Sequence, residues 1–350
     1  MPPRRRHRSI TALLGALMVL TACGSGSTEG SGDPGQPAKP VTVRLGYFPN
    51  VTHATPLAGI EKGIFAAKLG PDKLVVQTFN AGPGAVEALF SEGLDASYIG
   101  ANPAINAFAK SKGEAIRIIS GATSGGASLV VKPNVSQPSD LRGKKLASPQ
   151  LGGTQDVALR AWLTEQGLKA DTRAGPTILP QENAQTLETF RSGAIEGAWV
   201  PEPWATRLVQ EAGGKVLVDE ATLWPNGRFV TTQLVVRTKF LKEHPATVKR
   251  LLEAQVAAND FVNANGPEAQ QLANQAIGRV TGRKLSEALL SASWEKLTFT
   301  NDPIASTLTR SAKNAERVGL LKPVDLEGIY DLSVLDEVLR ATGQPAVAAA

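Results

Sequence analysis

Apolar positions along residues 41–237 follow two rhythms. Short runs rich in Val, Ile and Leu predict strands at 41–48, 73–79, 96–100, 117–122, 128–132, 145–148, 177–179, 197–200, 215–218 and 233–237. Amphipathic stretches between them predict helices at 56–65, 83–92, 103–111, 154–166, 184–192 and 204–212. Strand and helix alternating at this spacing predict parallel sheets with helices on both faces. Beyond Arg237 the pattern is helical only, with helices expected at 240–262, 267–279, 286–296, 304–318 and 333–341.

Two segments read as crossings between lobes. SLVVK at 128–132 runs into Pro133, and FVTTQLVVR at 229–237 follows the WPNG turn at 224–227. The expected division is a discontinuous first lobe, 41–133 plus 229–344, and a second lobe, 134–228. An internal echo fits two lobes of one design. FSEGLDASYIGANP at 90–103 aligns with FRSGAIEGAWVPEP at 190–203, which pairs Asp95 with Glu196 and Tyr98 with Trp199. Both segments end in turns at strand C-terminal ends, where open α/β sheets bind ligands.

The N-terminus changes the picture of where this body works. Arg4, Arg5, Arg6 and Arg8 precede an apolar run over 10–20 and then Leu20-Thr21-Ala22-Cys23. The run is too short for a spanning helix, which needs about 20 apolar residues, and reads as a signal peptide over 1–22. Small residues before the chain's single cysteine form a lipobox, so Cys23 is the expected lipidation site. Residues 24–39, dominated by Gly, Ser and Pro, form with Cys23 a tether over 23–40 whose end-to-end reach is about 20–24 Å. A lipid-anchored protein on the extracytoplasmic face of the membrane is expected.

Charge adds little. Removing the leader's four arginines leaves 33 basic against 32 acidic side chains, so the sequence pI near 9.3 does not point to nucleic acid. No nucleic-acid partner, metal or cofactor is expected. With one cysteine, in the lipobox, no disulfide can form within the body.

Candidate chemistry lies in the turns that start helices. Gly82-Pro83-Gly84, Gly100-Ala101-Asn102 and Gly152-Gly153-Thr154 would each aim free backbone N–H groups and the positive end of a helix dipole at an oxyanion, without Lys or Arg. Thr154, Ser124 and Gly125 extend the same donor set. His53, beside Asn50, is the one histidine near these turns; it reads as a hydrogen-bond donor, a ligand-access residue or packing at a helix start. No second His or Cys accompanies it to hold a metal, and no Gly-x-Ser-x-Gly elbow supports a hydrolase. Trp199 is expected to wall the apolar part of a ligand, and Trp204 to pack. Glu202, beside an anion, must face an arginine such as Arg228 or Arg207, or else a cationic end of the ligand.

GYFPNVTHATP at 46–56, GIF at 63–65, FNAGPG at 79–84, DASYIG at 95–100 and WVPEPW at 199–204 together resemble the solute-binding proteins of nitrate, sulfonate, taurine and bicarbonate importers. The resemblance is greatest to the aliphatic-sulfonate binders. It implies an α/β, type II periplasmic-binding-protein fold with a ligand cleft between two lobes. The implied role is capture of a small sulfonate, alkanesulfonate or taurine-like, for an ABC permease and its ATPase, by a monomer that does no chemistry on it. Nitrate, bicarbonate or a pyrimidine precursor are the alternative solutes. The same fold also contains enzymes of pyrimidine biosynthesis, but that branch would need a catalytic cysteine or a histidine cluster.

Overall fold

The computed structural model describes residues 39–347. The predicted leader, Cys23 and the tether up to residue 38 lie outside the described residues. From the N-terminus the elements are β1 (Thr42–Tyr47), α1 (Ala54–Glu61), α2 (Ile64–Leu69), β2 (Lys73–Thr78), α3 (Gly82–Phe90), β3 (Ala96–Ile99), α4 (Ala101–Lys110), β4 (Ile116–Gly125) and β5 (Ala127–Val131). Then come β6 (Lys145–Ser148), α5 (Thr154–Glu165), β7 (Thr177–Pro180), α6 (Asn183–Arg191), β8 (Gly197–Pro201), α7 (Trp204–Ala212), β9 (Lys215–Asp219) and β10 (Val230–Arg237). The C-terminal part holds α8 (Thr238–Glu243), α9 (Pro245–Ala264), α10 (Gly266–Thr281), α11 (Glu287–Trp294), β11 (Leu297–Phe299), α12 (Ala305–Arg317) and α13 (Ser333–Ala341).

The strands form two sheets, ordered β11-β4-β10-β3-β1-β2 and β7-β6-β8-β5-β9. Each contains a parallel trio, β2-β1-β3 in the first and β7-β6-β8 in the second. Each trio is flanked by an antiparallel strand arriving from elsewhere in the chain, β10 against β3 and β5 against β8. The expected all-parallel sheets are therefore corrected to mixed ones, because strands entering from the other half run the opposite way. The echo between 90–103 and 190–203 acquires a structural basis: β3 and β8 occupy the same place in their sheets. Helices cover both faces of both sheets. Leu57, Leu251 and Ala273 pack one face of the first sheet and Leu89, Ile105 and Leu308 the other; Leu159 and Trp162 pack one face of the second sheet, and Leu187 and Leu208 the other.

The first crossing lies at Gly125-Gly126, between β4 and β5, so residues 127–131 belong to the second sheet, unlike the expected break after Pro133. Both glycines have positive φ, 83° and 72°, and a Cβ on Gly126 would come within 2.1 Å of Leu297. The chain returns to the first sheet at β10, after the 224–227 turn.

Two predicted helices are each split. Gly63, at φ 81°, separates α1 from α2, and His244-Pro245 separates α8 from α9. The helix-only C-terminal part contains one short strand, β11, which pairs with β4. Among the described residues no helix is long and apolar enough to cross a membrane.

Asp95 ties the first sheet together. Its fully buried carboxylate accepts from Arg44 N, Nε and Nη2 at 2.9, 2.8 and 2.7 Å and from Arg237 Nη2 at 2.9 Å. Burial alone would raise its pKa, but these donors outweigh burial and hold it below the usual carboxylate range.

Candidate functional site

Between the sheets lies a cavity of about 40 Å³. Its walls come from the β1–α1 turn, the starts of α3, α4, α5 and α6, the end of β8, and β10. The helix starts follow from their sequences. The residues before α3, α4 and α5 are Ala81, Gly100 and Gly153, and none places a side-chain oxygen on the first turn. Their backbone donors are thus left without side-chain caps, and three positive dipole ends converge on one small volume.

No charged side chain lines this cavity. Its polar groups are Asn50, Thr52, His53, Asn80, Gln150, Thr154, Gln155, Asn183, Thr231 and Thr232. Three of their oxygens are buried without any hydrogen-bond partner: Thr154 Oγ1, Thr232 Oγ1 and Asn183 Oδ1. Unpartnered buried polar atoms are rare in folded proteins, and three around one cavity call for a polar partner there, whether water or a ligand.

His53 is fully buried, and desolvation lowers its pKa to about 3, so its ring is neutral at physiological pH. Its Nδ1 accepts from the Phe48 N–H at 3.3 Å, which leaves the ring proton on Nε2 as a donor. Phe48 packs on the imidazole with ring centroids 4.4 Å apart.

Of the residues expected at the site, Asn50, His53, Gly82, Gly100, Gly153 and Thr154 meet around this cavity. The others do not line it. Pro83 and Gly84 lie further along α3, Ala101 packs in the core, and Asn102 donates to Ser311 O at 3.2 Å. Ser124 accepts from Phe229 N at 3.2 Å, Gly125 turns the chain at the crossing, and the Gly152 carbonyl accepts from Asn106 at 3.3 Å.

Two expectations are corrected outright. Trp199 does not wall a ligand: it is wholly buried beside Trp162, and its Nε1 donates to Glu220 at 2.7 Å. Strand alternation turned it into the second half's core. Glu202 faces neither Arg228, which pairs with Asp302, nor Arg207, which pairs with Glu211. Its buried carboxylate accepts from Thr206 N and Oγ1 at 3.1 and 3.0 Å and sits 3.7 Å from Lys296. Burial raises its pKa, and these partners offset only part of the rise. Trp204 packs against the core of the second sheet, as expected, and also reaches a wider outer cavity, where its Nε1 donates to Asn50 at 2.9 Å.

Thr231, Thr232, Gln150 and Asn183 also line the cavity and were not expected there. The one available signal was the polar run Thr231-Thr232-Gln233 at the start of a strand that continues Leu-Val-Val.

Among known proteins, the chain is 28% identical over 187 residues to the taurine-binding periplasmic protein of Escherichia coli, covering 53% of this chain and 57% of the relative. It is 27% identical over 291 residues to the nitrate/nitrite binding protein NrtA of Synechococcus elongatus, covering 71% of this chain and 64% of that one. In structure it resembles the alkanesulfonate-binding protein SsuA from Xanthomonas axonopodis pv. citri bound to MOPS, with TM-score 0.68 and 17% identity over 82% of this chain and 96% of that one. The periplasmic nitrate-binding protein NrtA from Synechocystis PCC 6803 matches with TM-score 0.71 and 18% identity over 87% and 89% of the two chains. These likenesses establish the fold as that of periplasmic binding proteins. The sequence model of the NMT1-like family matches residues 36–278, well over half of the 350 residues, and the chain belongs to that family.

Proposed function

We propose that this protein captures a small sulfonate, alkanesulfonate or taurine-like, and delivers it to the permease and ATPase of an ABC importer. The observation that carries this reading is the convergence of three uncapped helix N-termini on an uncharged cavity with three unpartnered oxygens. A neutral cavity with dipole ends, backbone N–H donors and the unpartnered Thr154 and Thr232 hydroxyls stabilises an oxyanion. The relatives named for taurine and nitrate, and the neighbour named for alkanesulfonates, support solute binding over catalysis.

In this reading the parts built on the two sheets are lobes that close on the solute, with Gly125-Gly126 and the entry to β10 as hinges. Cys23 would carry the lipid anchor on the extracytoplasmic face, and the body would act as a monomer. A second reading, nitrate or bicarbonate, is favoured by one feature: the cavity's volume of about 40 Å³ suits a compact anion.

A thermal-shift panel separates the two. Ligand at about 100 times its dissociation constant adds roughly 2.7 kcal/mol of stability. An alkanesulfonate or taurine is expected to raise the melting temperature. Silence from both, with a shift for nitrate or bicarbonate, would establish the second reading.

A further inference from the structure

Helix α12 belongs to the first half of the molecule but carries a polar stripe that reaches the second. Leu308 and Ala312 pack into the core beside the first sheet, and Thr307 Oγ1 accepts from the Val230 N–H of β10 at 3.3 Å. Arg310, Asn314 and Arg317 stand at i, i+4 and i+7, so they share the helix's other face. Across from that face lie α5 and the 220–224 segment, which is fastened to the second half. Leu223 packs against the core there, and Trp224 Nε1 donates at 3.4 Å to Glu220, whose carboxylate also accepts from Trp199 Nε1 at 2.7 Å.

Arg310 bridges the two halves. Its Nη1 donates to Leu223 O at 2.7 Å, and its guanidinium lies 4.7 Å from the centre of the Trp224 ring. The same indole stacks on Phe229, with ring centroids 5.7 Å apart and planes 13° from parallel, just before the chain enters β10. Asp302 Oδ1 accepts from Ile304 N at 2.8 Å where α12 begins, and Oδ2 pairs with Arg228 at 3.2 Å, which ties the start of the helix to the same segment. The gap left at this junction is about 20 Å³, room for one water molecule. Arg317 also reaches Glu165 of α5 at 2.7 Å, but the partners are 40% and 38% exposed, so water screens that pair.

None of these residues lines the cavity between the sheets. A contact that joins the halves without touching the solute acts on the closed form alone. The affinity of a protein that binds only when closed is its intrinsic affinity scaled by the closed fraction, so one factor applies to every solute. We infer that Arg310 is a closure clasp: its hydrogen bond to Leu223 O and its stack on Trp224 form when the two halves meet, and they set the balance between closed and open protein. This rests on the proposed closing of two lobes on a solute, and the test separates the two claims.

Calorimetry with ethanesulfonate, taurine and nitrate would compare the wild type with Arg310→Ala. Arg310 is exposed, so the solute-free variant should keep its melting temperature. Every solute that binds should lose affinity by one common factor, about threefold or more. Arg317→Ala should change affinity by less than about twofold. If Arg310→Ala fails to fold, Arg310→Lys, which keeps the charge and loses the planar stack, carries the same comparison. Spin labels at Lys68→Cys and Lys169→Cys, both exposed and one in each half, would report the distance between the halves of solute-free protein in a Cys23→Ser background. Arg310→Ala should raise the long-distance population. Unchanged affinity, an unchanged distance distribution, or a loss of affinity confined to one solute would overturn the clasp and leave solute binding standing. If none of the three solutes binds the wild type, the proposed function fails and the distances alone decide: a shift toward the open form supports the clasp, and identical distributions overturn it.

Discussion

Thr154 stands at the first turn of α5 with its hydroxyl buried and unpartnered, at the point where the second half of the chain meets the start of α4. A hydrogen bond to a charged group contributes about 1.5–3 kcal/mol, so Thr154→Val should weaken sulfonate binding roughly tenfold or more without unfolding the protein. Calorimetry showing an unchanged dissociation constant would remove that hydroxyl from the site. Glu220 is a second buried group with a measurable consequence. Desolvation raises its pKa from 4.5 to about 7, against the hydrogen bonds from Trp199 and Trp224. Because the folded state binds this proton more tightly, the contribution to stability is full below about pH 4.5 and is lost as pH rises through about 7. Glu220→Gln should flatten the pH dependence of stability across that window, by up to about 3 kcal/mol, as read from urea denaturation at several pH values.

At this scale the sequence was informative where chemistry and turn propensity coincide. His53, Gly100, Gly153 and Thr154 all lie in turns that open helices, and they do meet. Thr231 and Thr232 were missed for a physical reason. Neighbours in a regular strand point to opposite faces, but a register shift in β10 around these residues lets both line the cavity. Trp199 misled because a tryptophan at a strand end looks available, whereas its indole N–H had a buried carboxylate to satisfy.

Among the elements, the starts of α4 and α5 approach so closely that a Cβ on Gly100 would lie 2.3 Å from Thr154 Oγ1. Gly100 has an ordinary extended φ of −79°, so the requirement for glycine here is one of space. Gly100→Ala should therefore fold, push the two helix starts apart and weaken sulfonate binding, with little change in melting temperature of the ligand-free protein. A variant that binds as tightly as wild type would show that the two N-termini do not act on one ligand. Most strands and helices were legible from periodicity, and α5, α7 and α13 begin where predicted. The splits at Gly63 and at His244-Pro245 were blurred because apolar spacing continues across them, and three-residue β11 is too short to show a period of two.

For the whole molecule, the two-sheet plan was readable from the internal echo. Strand direction was not, since β5 and β10 pair antiparallel with β8 and β3 and apolar periodicity carries no direction. The lipobox reading predicts that Cys23→Ser releases the protein from membranes with ligand affinity intact, which fractionation and calorimetry would check; continued membrane retention would refute it. The central claim is that neutral donors at helix N-termini, buried between the two sheets, hold a sulfonate head. Salt screens exposed charges over a Debye length of about 8–10 Å near physiological ionic strength, but acts far less on a buried seat without cationic side chains. The most direct measurement is calorimetric titration of the protein with an alkanesulfonate between about 0.05 and 0.5 M NaCl. The account predicts saturable one-to-one binding whose dissociation constant changes less than about threefold across that range; no saturable heat, or an affinity that collapses with salt, would contradict it.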